Sequence, residues 1–431
     1  MKKFILLLFV IIYHSIAFPQ KESDVLRYTL EEIEALFLKE NLELLAAKLD
    51  ISIADAHIAQ EKSWDNPTFS LGNINLWSTG KQREGEKEVI PPLFGSFGRN
   101  MEFSVELSQM IRTAGKRKKR VETGKTSKEI SILEFEDLLR NLKTELRKSV
   151  YEYTYLNALS NILNRQLESL TGLTRSWEQQ VEKGNLPKTE LLRLQAALFE
   201  VENEYNELSV EVNQHKKNIR VLMNLPPGYE LEIIPDANTL KIPEEIQLGK
   251  LIDQSSGSRP DVRKSELRSL FYKKEMAYEK AQCVPDITLS AVYDRYGGVW
   301  RDFVGFGISF DLPVFNRNKG NIEAARLSSE QHHHLATQQI NLISNEITNA
   351  FDNYTQAYDF YKKIESNSIL KELDKMYEVY IQSLMNRNIS MVEFIDFIEA
   401  YKNNKQTFLN ADKNRKILFE ELQYTVGADI N

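Results

Sequence analysis

The chain lacks several features that are common in other proteins, and each absence excludes or disfavours a structure or a partner. Beyond residue 17 it has no apolar run near the roughly 20 residues that a membrane-spanning helix needs. Its single cysteine, Cys283, excludes an intramolecular disulfide. The formal charge of -7 and the pI near 5.7 show no basic excess, which argues against a nucleic-acid partner. None of these shortages excludes β-strands that alternate polar and apolar residues, because such strands leave little hydropathy signal.

Glycine and proline are missing from two long stretches. Neither occurs between Asn321 and Val426, and only Gly172 occurs between Lys125 and Lys183. Helix interiors avoid these residues, so both stretches are predicted to be helical. A helix from Lys116 to Val181 would be about 100 Å long and must pack along other helices. A coiled-coil seam is indicated by apolar residues at steps of three and four: Leu139, Leu142, Leu146, Val150, Tyr153, Leu156 and Leu159.

The first 17 residues have the pattern of a secretory signal peptide. Lys2 and Lys3 precede the apolar run Phe4–Ile12, and Ser15 and Ala17 supply the small residues of a cleavage site. We expect cleavage after Ala17. No cysteine directly follows this cleavage site, so a lipidated N-terminus is not expected.

Other segments alternate between apolar and polar residues, as β-strands do. Each is about ten residues long, which is the length that crosses a bilayer as a tilted strand. One such hairpin would favour a half-buried sheet in a soluble protein, but two hairpins in a secreted chain favour a membrane barrel. The apolar positions of these segments are Met101, Phe103, Val105 and Leu107, then Ile287, Leu289, Ala291 and Tyr293, then Phe306, Ile308, Phe310 and Leu312.

The order of motifs occurs twice. A run from Asn41 and a run from Arg259 each reach a proline 26 residues later, Pro67 and Pro285 respectively. A strand hairpin and a long helical stretch follow each proline. We therefore predict a signal peptide at 1–17, a first repeat at 18–240 and a second repeat at 241–431. The expected hairpins are a strand hairpin at 67–111, a helical hairpin at 116–223, a strand hairpin at 285–314 and a helical hairpin at 320–426.

Four strands cannot close a barrel, and open strand edges are not tolerated in lipid. Three copies related by cyclic symmetry would supply twelve strands. The predicted fold class is therefore an α+β membrane protein: a long coiled-coil α-helical barrel, plus a transmembrane β-barrel that is completed by trimerisation. A barrel continuous with a helical tube is a conduit.

The chain resembles the TolC-like outer-membrane efflux protein family over nearly all of residues 28–427. Each motif is short, but together they occur in order and are duplicated. The motifs that carry the resemblance are Tyr28–Ile33, Asn66–Leu71, Gly184–Leu192 and Arg259–Asp261. The segment Phe310–Gly320 resembles the branch that serves heavy-metal cation exporters.

The resemblance implies a passive homotrimeric duct in the outer membrane, with twelve strands and a long periplasmic helical tube. Its partners would be outer-membrane lipid, a periplasmic adaptor protein and an inner-membrane pump of the resistance-nodulation-division type. No cofactor and no enzymatic activity are expected. The cargo would be heavy-metal cations. Alternatives are efflux of organic toxins, a type I secretion duct of the same fold, or a periplasmic coiled-coil adaptor protein with a small soluble sheet.

The resemblance also implies that Glu393 and Asp396 constrict the pore. In the family, two acidic residues three apart follow the second periplasmic turn and form a ring around the threefold axis, which would attract cations. The alternative for Glu393 is a capping box, because Ser390 precedes it by three residues. Glu190 holds the corresponding place in the first repeat and is predicted to lie in a first helical turn. Some relatives have a latching arginine where this chain has Ile389.

Three further features have alternative interpretations. His332, His333 and His334 are candidate metal ligands, but neighbouring helical residues point about 100° apart and do not converge on one ion. The basic run Lys116–Arg120 predicts either a solvated helix start or contact with phospholipid headgroups. Trp77 and Trp300 are expected near the outer hairpin ends, where they would either anchor the chain at the membrane interface or pack within the protein.

Overall fold

The computed structural model describes residues 25–75, 102–234, 240–295 and 302–430. The predicted signal peptide, Trp77 and Trp300 lie outside the described residues. The elements up to residue 233 are β1 (Val25–Tyr28), α1 (Leu30–Glu40), α2 (Leu42–Lys62), β2 (Thr68–Asn75), β3 (Glu102–Ile111), α3 (Lys116–Glu182), α4 (Lys188–Leu222) and β4 (Glu230–Ile233). After a 3-10 turn at Pro243–Glu245 come α5 (Leu248–Ser258), α6 (Pro260–Gln282), β5 (Ile287–Arg295), β6 (Asp302–Phe310), α7 (Lys319–Glu365), α8 (Ile369–Met385) and α9 (Met391–Val426).

The helical prediction for 320–426 missed one break. Instead of a two-helix hairpin, three helices cover this stretch, because α7 ends at Glu365 and α8 begins at Ile369. The intervening residues are Ser366, Asn367 and Ser368, and the Asn367 side chain accepts the amide of Ile369 at 3.0 Å. Short polar side chains can replace a helical hydrogen bond in this way, so a helix can break without glycine or proline.

Contacts divide the chain into two compact units, and α3, α7 and α9 each contribute residues to both. The first unit comprises residues up to 42, 142–243 and 353–421. In it, β1 and β4 form a parallel ladder from Val25↔Glu230 to Tyr28↔Ile233. Its main hydrophobic cluster is built by α3, α4, α8 and α9 and includes Leu156, Leu194, Tyr377 and Phe394. Six of the seven predicted seam residues of α3 are buried, and Leu139 is half-buried.

The second unit comprises residues 43–141, 244–352 and 422–431. It contains a four-stranded antiparallel sheet in the order β2-β3-β5-β6. Arg259 joins three segments of this unit: its guanidinium pairs with Asp261 at 2.6 Å and Glu346 at 2.8 Å, and donates to the carbonyl of Thr425. The motif Arg259–Asp261 is therefore a packing device here. Gly427 (φ 81°) passes so close that a Cβ there would lie 2.9 Å from Cγ of Arg259.

Candidate functional site

One face of the four-stranded sheet is apolar and exposed. The register places Phe306 opposite Ala291, and Ala291 opposite Leu107, so the apolar positions of neighbouring strands share that face. Phe306 is 87% exposed and Ile308 is 71% exposed. An exposed apolar face of this kind marks a surface that contacts lipid or another protein. Its members are Phe69, Leu71, Val105, Leu107, Ile287, Leu289, Ala291, Tyr293, Val304, Phe306, Ile308 and Phe310.

The opposite face carries mostly small and polar side chains, with Met110, Val292 and Phe303 as its larger apolar members. Ser290 lies opposite Gly307, and the two are so close that a Cβ on Gly307 would meet Oγ of Ser290 at 2.6 Å. This face includes Thr68, Ser70, Gly72, Ser104, Glu106, Ser108, Thr288, Ser290, Gly305, Gly307 and Ser309. One sheet with an apolar face and a polar face matches the lipid-out, lumen-in alternation of membrane barrel strands. Within this chain's own sheet, β2 and β6 are the edge strands.

Two helical turns in the first unit have the same backbone geometry, 203 residues apart. Gly184 (φ 74°) follows α3, and Arg387 (φ 61°) follows α8, and both adopt the left-handed conformation. The amide of Asn185 donates to the carbonyl of Gln180 at 2.8 Å, which is the Schellman pattern. The amide of Asn388 donates to the carbonyl of Ser383 in the same way.

Arg387 connects the two turns. Its guanidinium donates to the carbonyl of Asn185 at 3.1 Å. A non-glycine residue in the left-handed conformation is strained. The hydrogen bond that the Arg387 side chain makes to the other turn offsets part of this strain. Ile389, where some relatives have an arginine, instead packs against the hydrophobic cluster, as Leu186 does in the other turn. The side-chain hydrogen bond between the two turns therefore comes from Arg387, two residues before Ile389.

Glu393 and Asp396 lie in the first turns of α9, and both are exposed. Glu393 forms the capping box that the sequence allows: its carboxylate accepts the amide of Ser390 at 2.8 Å, and its own amide donates to Oγ of Ser390 at 3.2 Å. These bonds from the backbone and side chain of Ser390 lower the pKa of Glu393. Capping engages one carboxylate oxygen of Glu393 and does not involve Asp396. Glu190 lies in the first turn of α4, as predicted.

Replacing Ser390 with Ala should loosen the start of α9. The hydroxyl caps the Glu393 amide, and removal of such a cap costs about 1 kcal/mol, so local amide exchange should rise about fivefold. Hydrogen exchange of peptides covering 388–397 measures this at neutral pH. The lowered pKa of Glu393 means that its contribution is present above the unfolded pKa and is lost as the pH falls through the folded pKa.

The matched control for this change is Ser344→Ala, a serine within α7. It should leave exchange in peptides 388–397 unchanged. Equal exchange in the intact chain and in Ser390→Ala would contradict a capping role for Ser390.

The three histidines do not converge. All lie on α7, where the His332 ring stacks on Tyr272 at 4.9 Å and the rings of His333 and His334 are 6.2 Å apart. Burial, with a smaller effect of Arg268, lowers the pKa of His332. Across residues 25–75, 102–234, 240–295 and 302–430, no group of three or more His, Cys, Asp or Glu side chains is placed to hold a metal ion.

Part of the basic run Lys116–Arg120 is paired within the protein, so the prediction of a solvated helix start is wrong for those residues. Lys116 is buried and pairs with Asp286 at 2.8 Å, because β5 begins beside the start of α3. Arg120 pairs with Glu61 and with Glu275, each at 3.3 Å. Only the tertiary fold brings these carboxylates to the run.

Sequence reasoning missed a buried ionic network in the first unit. Arg147 on α3 pairs with Glu420 on α9 at 2.8 Å and with Glu34 on α1. Tyr151 donates to Glu420 at 3.3 Å. Burial raises the pKa of Glu420, although Arg147 acts in the opposite direction. The partners are 113 and 273 residues from Arg147 in the chain, and no local signal in the sequence marks them.

Within the part of the chain that the structure describes, no helix is both long enough and apolar enough to cross a membrane. Residues 35–225 match the family model described as outer membrane efflux protein. No curated protein sequence matches the chain.

Several solved structures share the fold. The outer membrane channel CmeC of Campylobacter jejuni has a TM-score of 0.76 and 16% identity, with 93% of this chain and 86% of that chain covered. CusC, from work on folding and transmembrane channel formation, has a TM-score of 0.70 and 16% identity, with coverage of 93% and 92%. The outer membrane protein VceC of Vibrio cholerae has a TM-score of 0.69 and 16% identity, with coverage of 93% and 97%. At such identity the likeness shows the fold alone.

Proposed function

We infer a function from the premise that this chain is a TolC-like outer membrane efflux protein, which rests on the match over residues 35–225 and on the shared fold. We propose that it is a passive, homotrimeric conduit through the outer membrane that exports cargo delivered from the periplasm. The exposed apolar face of the sheet carries the proposal, because lipid is the surrounding that such a face requires. That face also favours a conduit over a periplasmic coiled-coil adaptor, whose sheet would be half-buried.

Trimerisation follows from the edges of the sheet. In each copy β2 and β6 are edge strands, and an edge in lipid leaves backbone groups without partners. Pairing β6 of one copy with β2 of the next, around a threefold axis, closes a twelve-stranded barrel with the apolar face outward. The helices of three copies then form the periplasmic tube. Each copy contributes two repeats, at 18–240 and 241–431.

Glu393 and Asp396 are proposed to constrict the periplasmic end of the conduit. Both are exposed on α9 next to the turn that ends at Ser390, while Phe394 and Ile398 on the same helix are buried. Three copies would place six carboxylates around the axis. Such a ring attracts cations and raises the barrier for anions. Asp396 is the stronger candidate, since capping already accounts for Glu393.

The cargo is proposed to be heavy-metal cations, delivered by a periplasmic adaptor protein and an inner-membrane pump of the resistance-nodulation-division type. The resemblance of segment 310–320 to the heavy-metal branch and the exposed acidic pair support this cargo. The same fold suits the efflux of organic toxins or a type I secretion duct, so the cargo test must separate these functions.

Growth of a deletion strain on metal salts, dyes and antibiotics identifies the cargo. We expect sensitivity to metal salts alone, restored by the intact chain. Sensitivity to dyes and antibiotics with metals tolerated would contradict the metal assignment and leave a multidrug conduit. Sensitivity to none of these would contradict an efflux role.

The acidic pair has its own test. In planar bilayers, Glu393→Gln combined with Asp396→Asn should lower the ratio of cation to anion permeability severalfold, because the ring loses its charge. The control is Glu202→Gln with Glu207→Gln, which removes two exposed carboxylates from the middle of α4. An unchanged permeability ratio in the first variant would show that the acidic pair does not line the constriction.

A further inference from the structure

We propose that the end of the sheet nearest the helices holds the phosphate of an anionic phospholipid headgroup, bound by Arg117 and Lys118 beside Trp64. The inference rests on the proposed function, since it requires the apolar sheet face to lie in the membrane. Arg117 and Lys118 belong to the basic run whose other members are engaged within the protein.

All four strands meet the helical part of the chain at the same end of the sheet. The register pairs Ile111, at the end of β3, with Ile287, at the start of β5, and pairs Ile287 with Phe310, at the end of β6. The start of β2 lies at this end too, since Thr68 pairs with Ser108. The segments just beyond these ends therefore lie where the apolar face gives way to helix, which is the level of lipid headgroups if the sheet spans the bilayer.

A cavity of about 160 Å³ opens at this level, lined by Trp64, Asp65, Arg112, Gly115, Arg117 and Lys118. A water molecule occupies about 30 Å³ in the liquid, so the cavity can admit a phosphate group. The guanidinium carbon of Arg117 lies 3.9 Å from the centre of the Trp64 ring, which fixes the charge against an aromatic wall.

Arg117 keeps hydrogen-bonding capacity at this cavity. Within the described residues, its Nη1 has no hydrogen-bond acceptor, although it is buried. Nη1 itself is closed off from solvent, so a phosphate in the cavity would be bound by the rest of the Arg117 side chain, which is partly exposed and lines the cavity. Lys118 is exposed, whereas Lys116 is paired with Asp286 and Lys119 donates to the carbonyl of Ala114.

The charge around the cavity favours an anion. The first turn of α3 has no acidic residue and begins Lys116, Arg117, Lys118, so positive side chains add to the positive end of the helix dipole. One carboxylate, Asp65, lines the cavity and would oppose an anion. Arg112 pairs with it at 2.7 Å and neutralises it. The positive charge of Arg117 and Lys118 remains, and it attracts an anion from outside the chain.

Apolar surroundings favour a lipid over free phosphate. Trp64 is 65% exposed. At the other edge of the sheet, the segment after β6 exposes Leu312, Val314 and Phe315, and Phe315 is fully exposed. Aromatic and apolar side chains interleaved with cations are the composition of the membrane interface. A phosphate in water needs no such surroundings, whereas a lipid headgroup with its acyl chains does.

The test measures thermal unfolding of the full chain in non-ionic detergent, with phosphatidylglycerol, with phosphatidylcholine or with inorganic phosphate added. A ligand that binds the folded state raises the melting temperature. We expect phosphatidylglycerol to raise it by several degrees more than phosphatidylcholine. We expect Arg117→Gln with Lys118→Gln to abolish this difference.

The matched control is Lys371→Gln with Lys375→Gln, which removes two exposed lysines of α8 and should keep the full difference. Lys118→Gln alone changes only an exposed side chain, so it tests the site even if the double variant folds poorly, and it should reduce the difference. An equal effect of the two lipids, or a full phosphatidylglycerol effect in Lys118→Gln and the double variant, would overturn the site. The same rise with inorganic phosphate alone would overturn a lipid ligand.

Cell fractionation separates this inference from the proposed function. If the intact chain is in the outer membrane and the phosphatidylglycerol effect is absent, the headgroup site is wrong and the conduit stands. If the chain is absent from the outer membrane, the proposed function is wrong and the headgroup site with it.

Discussion

Replacing Arg147 with Met should lower the free energy of unfolding by about 3–5 kcal/mol, since it leaves Glu420 and Glu34 without their buried counter-charge. Glu420 is 4% exposed, so water cannot replace the lost partner. Guanidinium unfolding of the detergent-solubilised chain, followed by circular dichroism, measures the change. Combining Arg147→Met with Glu420→Gln should recover much of the loss, because the more deeply buried of the two uncompensated carboxylates is gone.

The control is Arg326→Met. Arg326 also pairs with two carboxylates, Glu323 and Glu330, but all three side chains are about half exposed, and its removal should leave stability almost unchanged. Equal losses in Arg147→Met and Arg326→Met would show that burial of the network does not matter.

The effect of Arg147→Met should depend on pH. Burial raises the pKa of Glu420 in the folded chain, so its contribution to stability is fully present below the unfolded pKa and is lost as the pH rises through the folded pKa. Arg147 lowers that pKa, so removing Arg147 raises the pKa of Glu420 further. More stability is then lost as the pH rises from the unfolded pKa to neutral pH. The variant should therefore be less destabilised at mildly acidic pH than at pH 7. A pH-independent difference would contradict this account of Glu420.

Replacing Phe306 with Lys should prevent most of the chain from assembling in the outer membrane. Phe306 is the most exposed residue of the apolar sheet face. A lysine on the lipid side of a barrel costs about 2–4 kcal/mol near the middle of the bilayer, which is a factor of roughly 30 to 1,000 in an equilibrium. The measurement is the fraction of chain recovered as trimer from the outer-membrane fraction.

Ser309→Lys is the matched control for Phe306→Lys. Ser309 is exposed on the same strand but on the polar face, which would line the lumen, so assembly should be nearly normal. If Ser309→Lys fails and Phe306→Lys assembles, the faces are reversed. If both assemble equally, the sheet does not face lipid.

Much of the fold was predictable because its signals are local. The alternation in 101–107, 287–293 and 306–312 predicted β3, β5 and β6, and the helices α3 and α4 lie within the predicted hairpin at 116–223. The prediction failed at Ser366–Ser368, where polar side chains take the place of backbone partners and no glycine or proline marks the break. Leu312 was expected to continue the last strand, but β6 ends at Phe310.

The candidate site was predictable to a lesser degree. Ser390 and Glu393 form the capping box that their spacing allows, because such a box is closed by four consecutive residues. The spacing of the histidines argued against convergence on one ion, and the structure places the His332 ring against Tyr272. The same kind of reasoning could not assign Arg387, since its acceptor on Asn185 is 202 residues away.

The order of residues along the chain is enough to give the periods of the apolar residues: two for the strands, and three and four for the long helices, with turns where those periods stop. These follow from the geometry of the chain over a few residues, and so they need no knowledge of the fold. Which charges are buried together depends on how the segments pack in the folded chain. Arg147 with Glu420, Lys116 with Asp286 and the stacking of Arg117 on Trp64 each join segments that meet only when the chain is folded. Burial and charge pairing depend on distance in space, and a linear sequence does not record that distance.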